Sequence, residues 1–234
     1  MSHVKPTNFT YGVTNAITSG LMADYPSPLP FRLQDRVVAE YFEDFMYGGA
    51  SNFTVTGASS TFANTDGEGG LAILTPGGAT TASSAYRTNT IVKFVSGQDS
   101  WFGARFQLSA LTGVAAKVGL QAGSSTNDGL YFVKASGSAA VKLTSEVGGV
   151  ATDLLTGLGT LVAATYMDVG WHYNGTDLEV FVGGVKVGRV SNVTIGASGT
   201  NLTNVALGPV VQITPASSET LTVDYLIACE IINR

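Results

Sequence analysis

Charged side chains are scarce in this sequence of 234 residues. They make up 12% of the chain, about half of the share of roughly 25% in an average globular protein. Hydrophobic residues make up 44%, and the mean hydropathy is +0.24. Thr, Ser, Asn and Gly must therefore cover most of the surface, unless another molecule covers it. This composition indicates an obligate oligomer or a protein that assembles onto a larger surface.

Basic residues are also few. The 12 Lys and Arg residues stand against 17 Asp and Glu residues, which gives a formal net charge of -5. The basic residues are scattered singly along the chain, whereas a nucleic-acid-binding protein usually carries a basic stripe. We therefore expect no nucleic acid among the partners.

Cysteine and long apolar runs are nearly absent. The one cysteine, Cys229, excludes an intrachain disulfide, and its place in an alternating apolar run predicts a buried thiol. No window approaches the roughly 20 apolar residues of a membrane helix, and "MSHVKPTNFTYG" contains no hydrophobic signal core. These features predict a protein without a membrane partner that is made in a reducing cytoplasm.

The first 36 residues differ from the rest of the chain. "ADYPSPLPFRL" places Pro26, Pro28 and Pro30 two residues apart, and each proline restricts itself and the preceding residue to extended conformations. We predict an extended N-terminal arm over residues 1–36 and a β-sandwich domain over residues 37–234. The arm either lies along its own domain or reaches a neighbouring subunit.

The remaining chain has the pattern of an all-β protein. Short alternating runs are separated by Gly, Asn and Asp, and the 29 glycines suit many tight turns. The pattern predicts a two-sheet antiparallel sandwich. Strands are expected in these segments: 40–46, 70–75, "TIVKFV" at 90–95, "SWFGARFQLS" at 100–109, 115–122, and one on each side of the turn "ASGS" at 135–138.

A meander is predicted in "WHYNGTDLEVFVGGVKVGRV", residues 171–190. Trp171 and Tyr173 share one face of a strand, and the Asn174-Gly175 dipeptide predicts a type I′ turn. Leu178, Val180 and Val182 then alternate toward the core. Gly183-Gly184 predicts the next tight turn.

The C-terminal run "TLTVDYLIACEIINR" is apolar on both faces. Such a run is typical of a central strand that is covered on both sides. A partner subunit is one candidate for the cover on the outer side. Strict alternation assigns one face to Leu221, Val223, Tyr225, Ile227, Cys229 and Ile231.

These segments together resemble the concanavalin A-like jelly-roll module of legume-type lectins, laminin G-like domains and related glycoside hydrolases. The likeness is carried by "LGTLVAATYMDVGWHYNGTDLEVFVGGVKVG", "EDF…TDGEGGLAILT", "DSWFGARFQL" and "LTVDYLIACEI". It covers roughly residues 40 to 234 as a pattern. The resemblance implies a jelly roll and leaves the function open.

A narrower resemblance concerns the role. The proline-containing arm, the "TNF.YGV" opening and "DGLYFVKASGSAAVKL" are similar to virion structural proteins of tailed bacteriophages, in particular capsid decoration, or cement, proteins. This resemblance implies a homo-oligomer, a trimer rather than a dimer, on the capsid exterior with the major capsid protein as partner. The arm residues expected to contact the capsid or a subunit are Tyr25, Pro26, Pro28, Pro30 and Phe31. The alternative is a lectin-like carbohydrate-binding module, such as a tail-associated receptor binder.

Two loops contain oxygen ligands at a spacing that suits part of a calcium site. They are Asn127-Asp128 and the group Asn64, Asp66 and Glu68. Both lie in sequences that form turns, and each lacks the six or more oxygens of a complete site. We therefore expect turns and no metal.

An enzyme is not expected from the sequence. Glycoside hydrolases need two carboxylates about 5 to 10 Å apart. The resemblance implies that a hydrolase of this fold would carry a Glu-x-Asp-x-Glu strand, and this sequence has none. Asp177 and Glu179 follow a tight turn, while Glu43 and Asp44 would point apart. No GxGxxG, P-loop, HExxH or CxxC motif indicates a cofactor.

Four aromatic residues, Trp101, Phe102, Trp171 and Tyr173, are candidates for stacking on sugars. Aromatic residues in alternating strands more often fill the core of a sandwich, and that is the interpretation we favour. His172, between Trp171 and Tyr173, is expected on a surface or between the sheets.

Overall fold

A computed structural model describes residues 37–46, 49–65, 70–196 and 201–232. The predicted arm over residues 1–36, with Tyr25, Pro26, Pro28, Pro30 and Phe31, lies outside the described residues. Its conformation and its contacts therefore stay predictions.

Strands dominate the described part of the chain, which contains one 3-10 turn at Gly49–Asn52 and no α-helix. The first nine strands are β1 Val37–Glu43, β2 Thr54–Thr56, β3 Thr61–Thr65, β4 Leu71–Thr75, β5 Ser83–Tyr86, β6 Asp99–Leu108, β7 Ala115–Ala122, β8 Ser125–Lys134 and β9 Ala140–Val147. The remaining strands are β10 Val150–Thr160, β11 Met167–Asn174, β12 Leu178–Val182, β13 Val185–Val190, β14 Ile195–Gly196, β15 Leu202–Thr203, β16 Gly208–Thr214 and β17 Leu221–Ile232.

The strands form two antiparallel sheets. Sheet A has the order β13-β12-β11-β6-β17-β4-β3, with β1 also paired to β17, and sheet B has the order β10-β9-β8-β7-β16-β5-β2. A short parallel pair, β14 and β15, is separate from both. The two-sheet antiparallel jelly roll predicted from the sequence is confirmed.

One hydrophobic core lies between the two sheets. Phe102, Trp171 and Tyr173 belong to it, together with Leu120 and Leu143 from sheet B. The interpretation that strand aromatics fill the core therefore holds for these three residues. Trp101 differs, because it belongs to a separate small cluster with Cys229 and Ile231.

One strand prediction was wrong, and one strand was not predicted. "TIVKFV" forms no strand, and only Val92 makes an isolated bridge, to Leu207. The alternation there reflects the burial of Val92 and Phe94 in the core, which an irregular segment achieves as well as a strand. Conversely, β10 was missed because it lies at the edge of sheet B and most of its residues are exposed or half-buried.

The meander over β11, β12 and β13 is confirmed, with one change at its first turn. Gly175 has a φ of 87°, whereas Asn174 lies outside the positive-φ region that a type I′ turn requires at both positions. β11 ends at Asn174 and β12 begins at Leu178, so residues 175–177 form the loop, which is closed by a hydrogen bond from the amide of Asn174 to the carbonyl of Asp177 at 3.0 Å. Gly183 and Gly184, with φ of 56° and 78°, form the predicted tight turn between Val182 and Val185.

A β-bulge corrects the predicted facing of β17. The register of β17 on β6 shifts between Val223 and Tyr225, and a bulge turns the following residues to the other face. Leu221, Val223, Leu226 and Ala228 therefore face the core, while Tyr225, Ile227, Cys229 and Ile231 lie on the outer face of sheet A. Strict alternation over the whole run was wrong for this reason.

Among the described residues, no helix has the length and apolar character needed to cross a membrane.

Candidate functional site

The outer face of sheet B carries a compact set of polar side chains. In β7, alternation directs Val118 and Leu120 into the core and leaves Lys117, Gly119 and Gln121 on the outer face. The neighbouring strands contribute Gly129, Tyr131 and Val133 from β8 and Val210 and Gln212 from β16, in register with β7.

A small apolar cluster supports this polar layer. It consists of Tyr86, Tyr131 and Val210, with Val133 packed against it. Tyr131 folds back along its own strand, since a Cβ added to Gly129 would lie 2.2 Å from the Tyr131 hydroxyl. The ring of Tyr131 is fully buried, so it supports the surface and offers no free face for stacking.

Amide groups lie above this cluster in a fixed arrangement. Gln212 Nε2 donates to Gln121 Oε1 at 2.8 Å, and Gln121 Nε2 donates to the carbonyl of Gly123 at 2.8 Å. The Tyr131 hydroxyl also donates to Gln121 Oε1, at 3.5 Å. Gln121 is buried, whereas Gln212 is half-buried and lies between two surface hollows of about 130 and 170 Å³.

Lys117 joins the aromatic and acidic parts of the face. Its ammonium lies 3.2 Å from Glu146 Oε2 and 4.8 Å from the centre of the Tyr131 ring. Burial raises the pKa of Tyr131, and the negative charges of Glu146 and Asp128 raise it further. The phenol is therefore a neutral hydrogen-bonding group at all ordinary pH values.

A second ion pair lies at the edge of the same face. Lys142 Nζ is 2.8 Å from Asp153 Oδ2, and the Thr144 hydroxyl donates to Asp153 Oδ1 at 2.8 Å. The hydrogen bond from Lys142, supplemented by that from Thr144, lowers the pKa of Asp153. Asp153 is therefore ionised and paired at neutral pH.

Glu146 and Asp153 form a carboxylate pair that the sequence analysis missed. Glu146 pairs with Ala151 and Thr144 pairs with Asp153 across β9 and β10. The two acidic residues are therefore diagonal neighbours on one face, with strand positions about 7 to 8 Å apart, and their carboxylates pair with different lysines, Glu146 with Lys117 and Asp153 with Lys142. The register of the hairpin over residues 140–160 was the signal that could have shown this, and it required the strand β10 that was not predicted.

The carboxylates considered from the sequence are engaged elsewhere. Asp177 accepts hydrogen bonds from Arg189 and from the amide of Asn192, and Glu179 pairs with Lys186. Glu43 accepts the amide of Phe45, and Asp44 accepts that of Met46. The structure does not bring either pair to the polar face of sheet B.

The oxygens considered as calcium ligands at Asp128 and Asn64 accept hydrogen bonds from the protein itself. Asp128 Oδ1 accepts the Thr203 hydroxyl at 2.6 Å, and Asn64 Oδ1 accepts the amide of Ala50 at 3.1 Å. Asp66 and Glu68 lie outside the described residues. In the described ranges, no group of three or more His, Cys, Asp and Glu residues is arranged to hold a metal ion.

His172 and Trp101 lie on the opposite side of the molecule, on the outer face of sheet A. Their rings stack with centroids 4.7 Å apart and an interplanar angle of 3°, and His172 Nε2 lies 3.0 Å from Asp99 Oδ1. Trp101 is only 5% exposed, so it offers no open platform for a sugar.

Comparison with known proteins places the fold. No family model matches the chain, and no curated protein matches it. Among solved structures, the chain is similar to SCLam, a non-specific endo-β-1,3(4)-glucanase from family GH16, with a TM-score of 0.60, 9% identity, and coverage of 87% of this chain and 93% of that one. A Bacillus licheniformis β-glucanase gives a TM-score of 0.57 at 9% identity, with 84% and 99% covered.

A carbohydrate recognition domain is similar to the same degree. The carbohydrate recognition domain of Emp47p gives a TM-score of 0.56 at 11% identity, with 82% of this chain and 94% of that chain covered. At these identities the likeness shows the fold alone. The chain is a concanavalin A-like jelly roll, as the resemblance in the sequence implied.

The same comparisons correct the expectation about catalysis. The prediction that the chain is not an enzyme was wrong, because the structures it resembles include glucanases and the fold therefore admits an enzyme. The sequence analysis considered only carboxylates that are close in sequence, and it did not consider Glu146 and Asp153, which the register of β9 and β10 places on one face.

Proposed function

We propose that the chain recognises an uncharged glycan through the outer face of sheet B. The observation that carries this proposal is the fixed polar layer of Gln121, Gln212, Lys117 and Glu146 above Tyr131. Amides, hydroxyls and paired ions are donors and acceptors that match the hydroxyl groups of a sugar. The similar glucanases and the carbohydrate recognition domain support this choice of ligand.

The pairing of charges favours an uncharged ligand. Lys117 is matched by Glu146, and Lys142 is matched by Asp153, so the face presents no unbalanced charge from these groups. The rings of Tyr86 and Tyr131 are covered. Recognition therefore uses hydrogen bonds, with Gln212 as the central side chain because it is half-buried and lies between the two hollows.

Substitution of Gln212 tests the proposal. We expect Gln212→Ala to weaken binding to a soluble glucan about tenfold, because one or two hydrogen bonds to the ligand and to Gln121 are lost. Titration calorimetry against mixed-linkage β-glucan, xylan and mannan measures this. Gln107→Ala is the matched control, since Gln107 is half-buried on the outer face of sheet A, and it should leave binding unchanged.

The same preparations distinguish binding from catalysis. If the wild-type chain releases reducing ends and both Glu146→Gln and Asp153→Asn abolish this release, the face is a hydrolase site. Binding without cleavage makes it a lectin-like site. If the wild-type chain neither binds nor cleaves any of the three polysaccharides, the proposal of glycan recognition fails.

A second candidate function is decoration of a viral capsid from the outside, as a homotrimer bound to the major capsid protein. Its support is the low content of charged residues, 12%, and the exposed side chains of Val150, Val162 and Val185, at 54%, 59% and 66%. Apolar and neutral polar surface can be buried against a shell without the cost of desolvating many charges. The arm residues predicted to make such contacts lie outside the described residues.

A further inference from the structure

A strip of buried residues runs across the outer face of sheet A. Trp101, Ile227, Cys229 and Ile231 are 5%, 7%, 0% and 2% exposed. The outer face of a sheet is normally solvated unless another layer covers it. The described elements are the two sheets, the 3-10 turn at Gly49–Asn52, which contacts β3, and the pair β14–β15, whose strand β15 contacts β8 and β9 of sheet B. No strand or helix among them lies over this strip.

The strip has the shape of a groove. Gly170 and Gly103 are partners across β11 and β6 and are both buried, so the middle of the strip has no side chains above the backbone. On one side the stacked rings of Trp101 and His172 form a wall. Arg105 lies on the other side, held by Asp224 at 2.6 Å.

The rim of the groove is polar and partly open. Arg105 and Asp168 have side chains that are 42% and 35% exposed, and the Tyr225 hydroxyl donates to Asp168 at 3.1 Å. A narrow apolar floor between a wall of stacked rings and a polar rim suits an extended peptide and not a flat protein surface.

We propose that residues 1–36 of this chain pack in cis along this groove. The segment joins the described structure at Val37, which pairs with Ile232 at the end of β17, beside Ile231. It therefore enters at one end of the strip. Its prolines at 26, 28 and 30 favour an extended form, and they carry no N–H donor that the apolar floor would leave unpaired.

The length of the segment fits this path. From β1 to β11 the strip crosses three interstrand spacings, about 14 Å. Residues 31–36 can span up to about 20 Å when extended. Phe31 and the residues before it, down to Tyr25, therefore reach the glycine floor and the wall formed by Trp101.

The single cysteine gives a direct test. Burial, with smaller contributions from Glu40 and Glu230, raises the pKa of Cys229 to about 12, in agreement with a covered thiol. A chain with a protease site between Gln34 and Asp35 is folded whole, cut and freed of the segment. We expect the reaction of Cys229 with a thiol reagent to accelerate about tenfold or more once its cover is removed.

Tryptophan quenching supplies a second measurement on the same cut protein. Trp101 should become accessible to acrylamide, while Trp171 in the core stays protected. A Trp101→Phe variant contains only Trp171, so its quenching should not change when the segment is removed. Adding back a peptide of residues 1–34 should restore protection of Cys229. Circular dichroism before and after the cut checks that the sandwich is intact.

Three results would overturn the proposal. Cys229 could remain protected after the segment is removed, or it could already react in the intact chain as fast as in the unfolded chain. Protection in the intact chain that falls on dilution would assign the cover to a second copy instead. None of these results depends on glycan binding by sheet B.

Discussion

At the scale of single residues, burial shifts the pKa of several side chains, and Glu230 is one of them. Glu230 is 8% exposed near the end of β17 and accepts the amide of Lys93 at 2.8 Å. Burial raises the pKa of its carboxyl, and the Lys93 contacts offset this in part. The folded state therefore holds a proton on Glu230 at a higher pH than the unfolded state does.

This shift predicts a pH-dependent effect of Glu230→Gln. Protonation of Glu230 stabilises the fold as the pH falls through its raised folded-state pKa, and the gain is complete below the unfolded value of about 4.3. Gln keeps an acceptor for Lys93 without the charge. We expect the variant to raise Tm by about 2 °C at pH 7, with a difference that shrinks toward pH 4.

Glu219 supplies the matched control with the opposite sign. Its carboxylate accepts the amides of Ser217 and Ala216, and these backbone hydrogen bonds lower its pKa. Glu219→Gln should lower Tm at pH 7, and its effect should also fade as the pH drops toward the folded-state pKa. Thermal scans from about pH 3 to pH 7 cover both ranges, since the unfolded carboxyl pKa is about 4.3, and a shift of Tm in the same direction for both variants at pH 7 would refute the account.

At the scale of elements, turns that look alike in sequence have different environments. Gly175 and Gly183 both take a positive φ in loops of the same meander. A Cβ on Gly175 would lie 2.6 Å from the backbone of Gly97, whereas a Cβ on Gly183 meets nothing within 4 Å. The amide of Gly97 donates to the carbonyl of Gly175 at 2.9 Å, so this turn is part of a contact between two loops.

Alanine substitutions at the two turns should lower the free energy of unfolding by different amounts. Gly183→Ala carries only the strain of a positive φ, about 1 kcal/mol, and Gly175→Ala adds a clash with rigid backbone that we expect to bring the loss to about 2–4 kcal/mol. Urea unfolding of both variants measures the difference in the free energy of unfolding. Equal losses would show that the loop contact contributes nothing.

Alternation predicted most elements because one face of each strand is buried in the core. It identified β7 within its bounds and the strands of the meander. It failed in β17, where the bulge after Val223 reverses the facing of Tyr225 to Ile231, and in β10, where the edge position leaves little contrast between faces. Both failures concern residues that the proposals use, since β10 carries Asp153 and β17 carries Cys229.

At the scale of the whole molecule, the two outer faces have different characters. Sheet B presents the polar layer around Gln121 and Gln212, and sheet A presents the groove around Gly103 and Gly170. Glycan recognition and occupation of the groove by the N-terminal segment therefore use opposite sides of the sandwich. The two proposals are compatible and can fail independently.

Assembly on a capsid makes a stoichiometric prediction. If the chain decorates a shell, purified virus particles should contain it in copies comparable with those of the major capsid protein, because decoration repeats with the lattice. Quantitative mass spectrometry of the particles measures this ratio. A handful of copies would contradict decoration and would favour a tail-borne or free carbohydrate-binding module.

The fold class could be predicted from the sequence, because hydrophobic alternation and turn residues are local properties that each strand carries alone. The sequence also indicated the buried state of Cys229 and the meander over β11, β12 and β13. The pairing of distant side chains depends on strand order and register, which are properties of the folded chain. Glu146 and Asp153 become neighbours through strand register, and Gln121 and Gln212, 91 residues apart, meet because β16 lies beside β7. The groove on sheet A likewise depends on a bulge and on two glycines in separate strands, so no single segment of the sequence could show it.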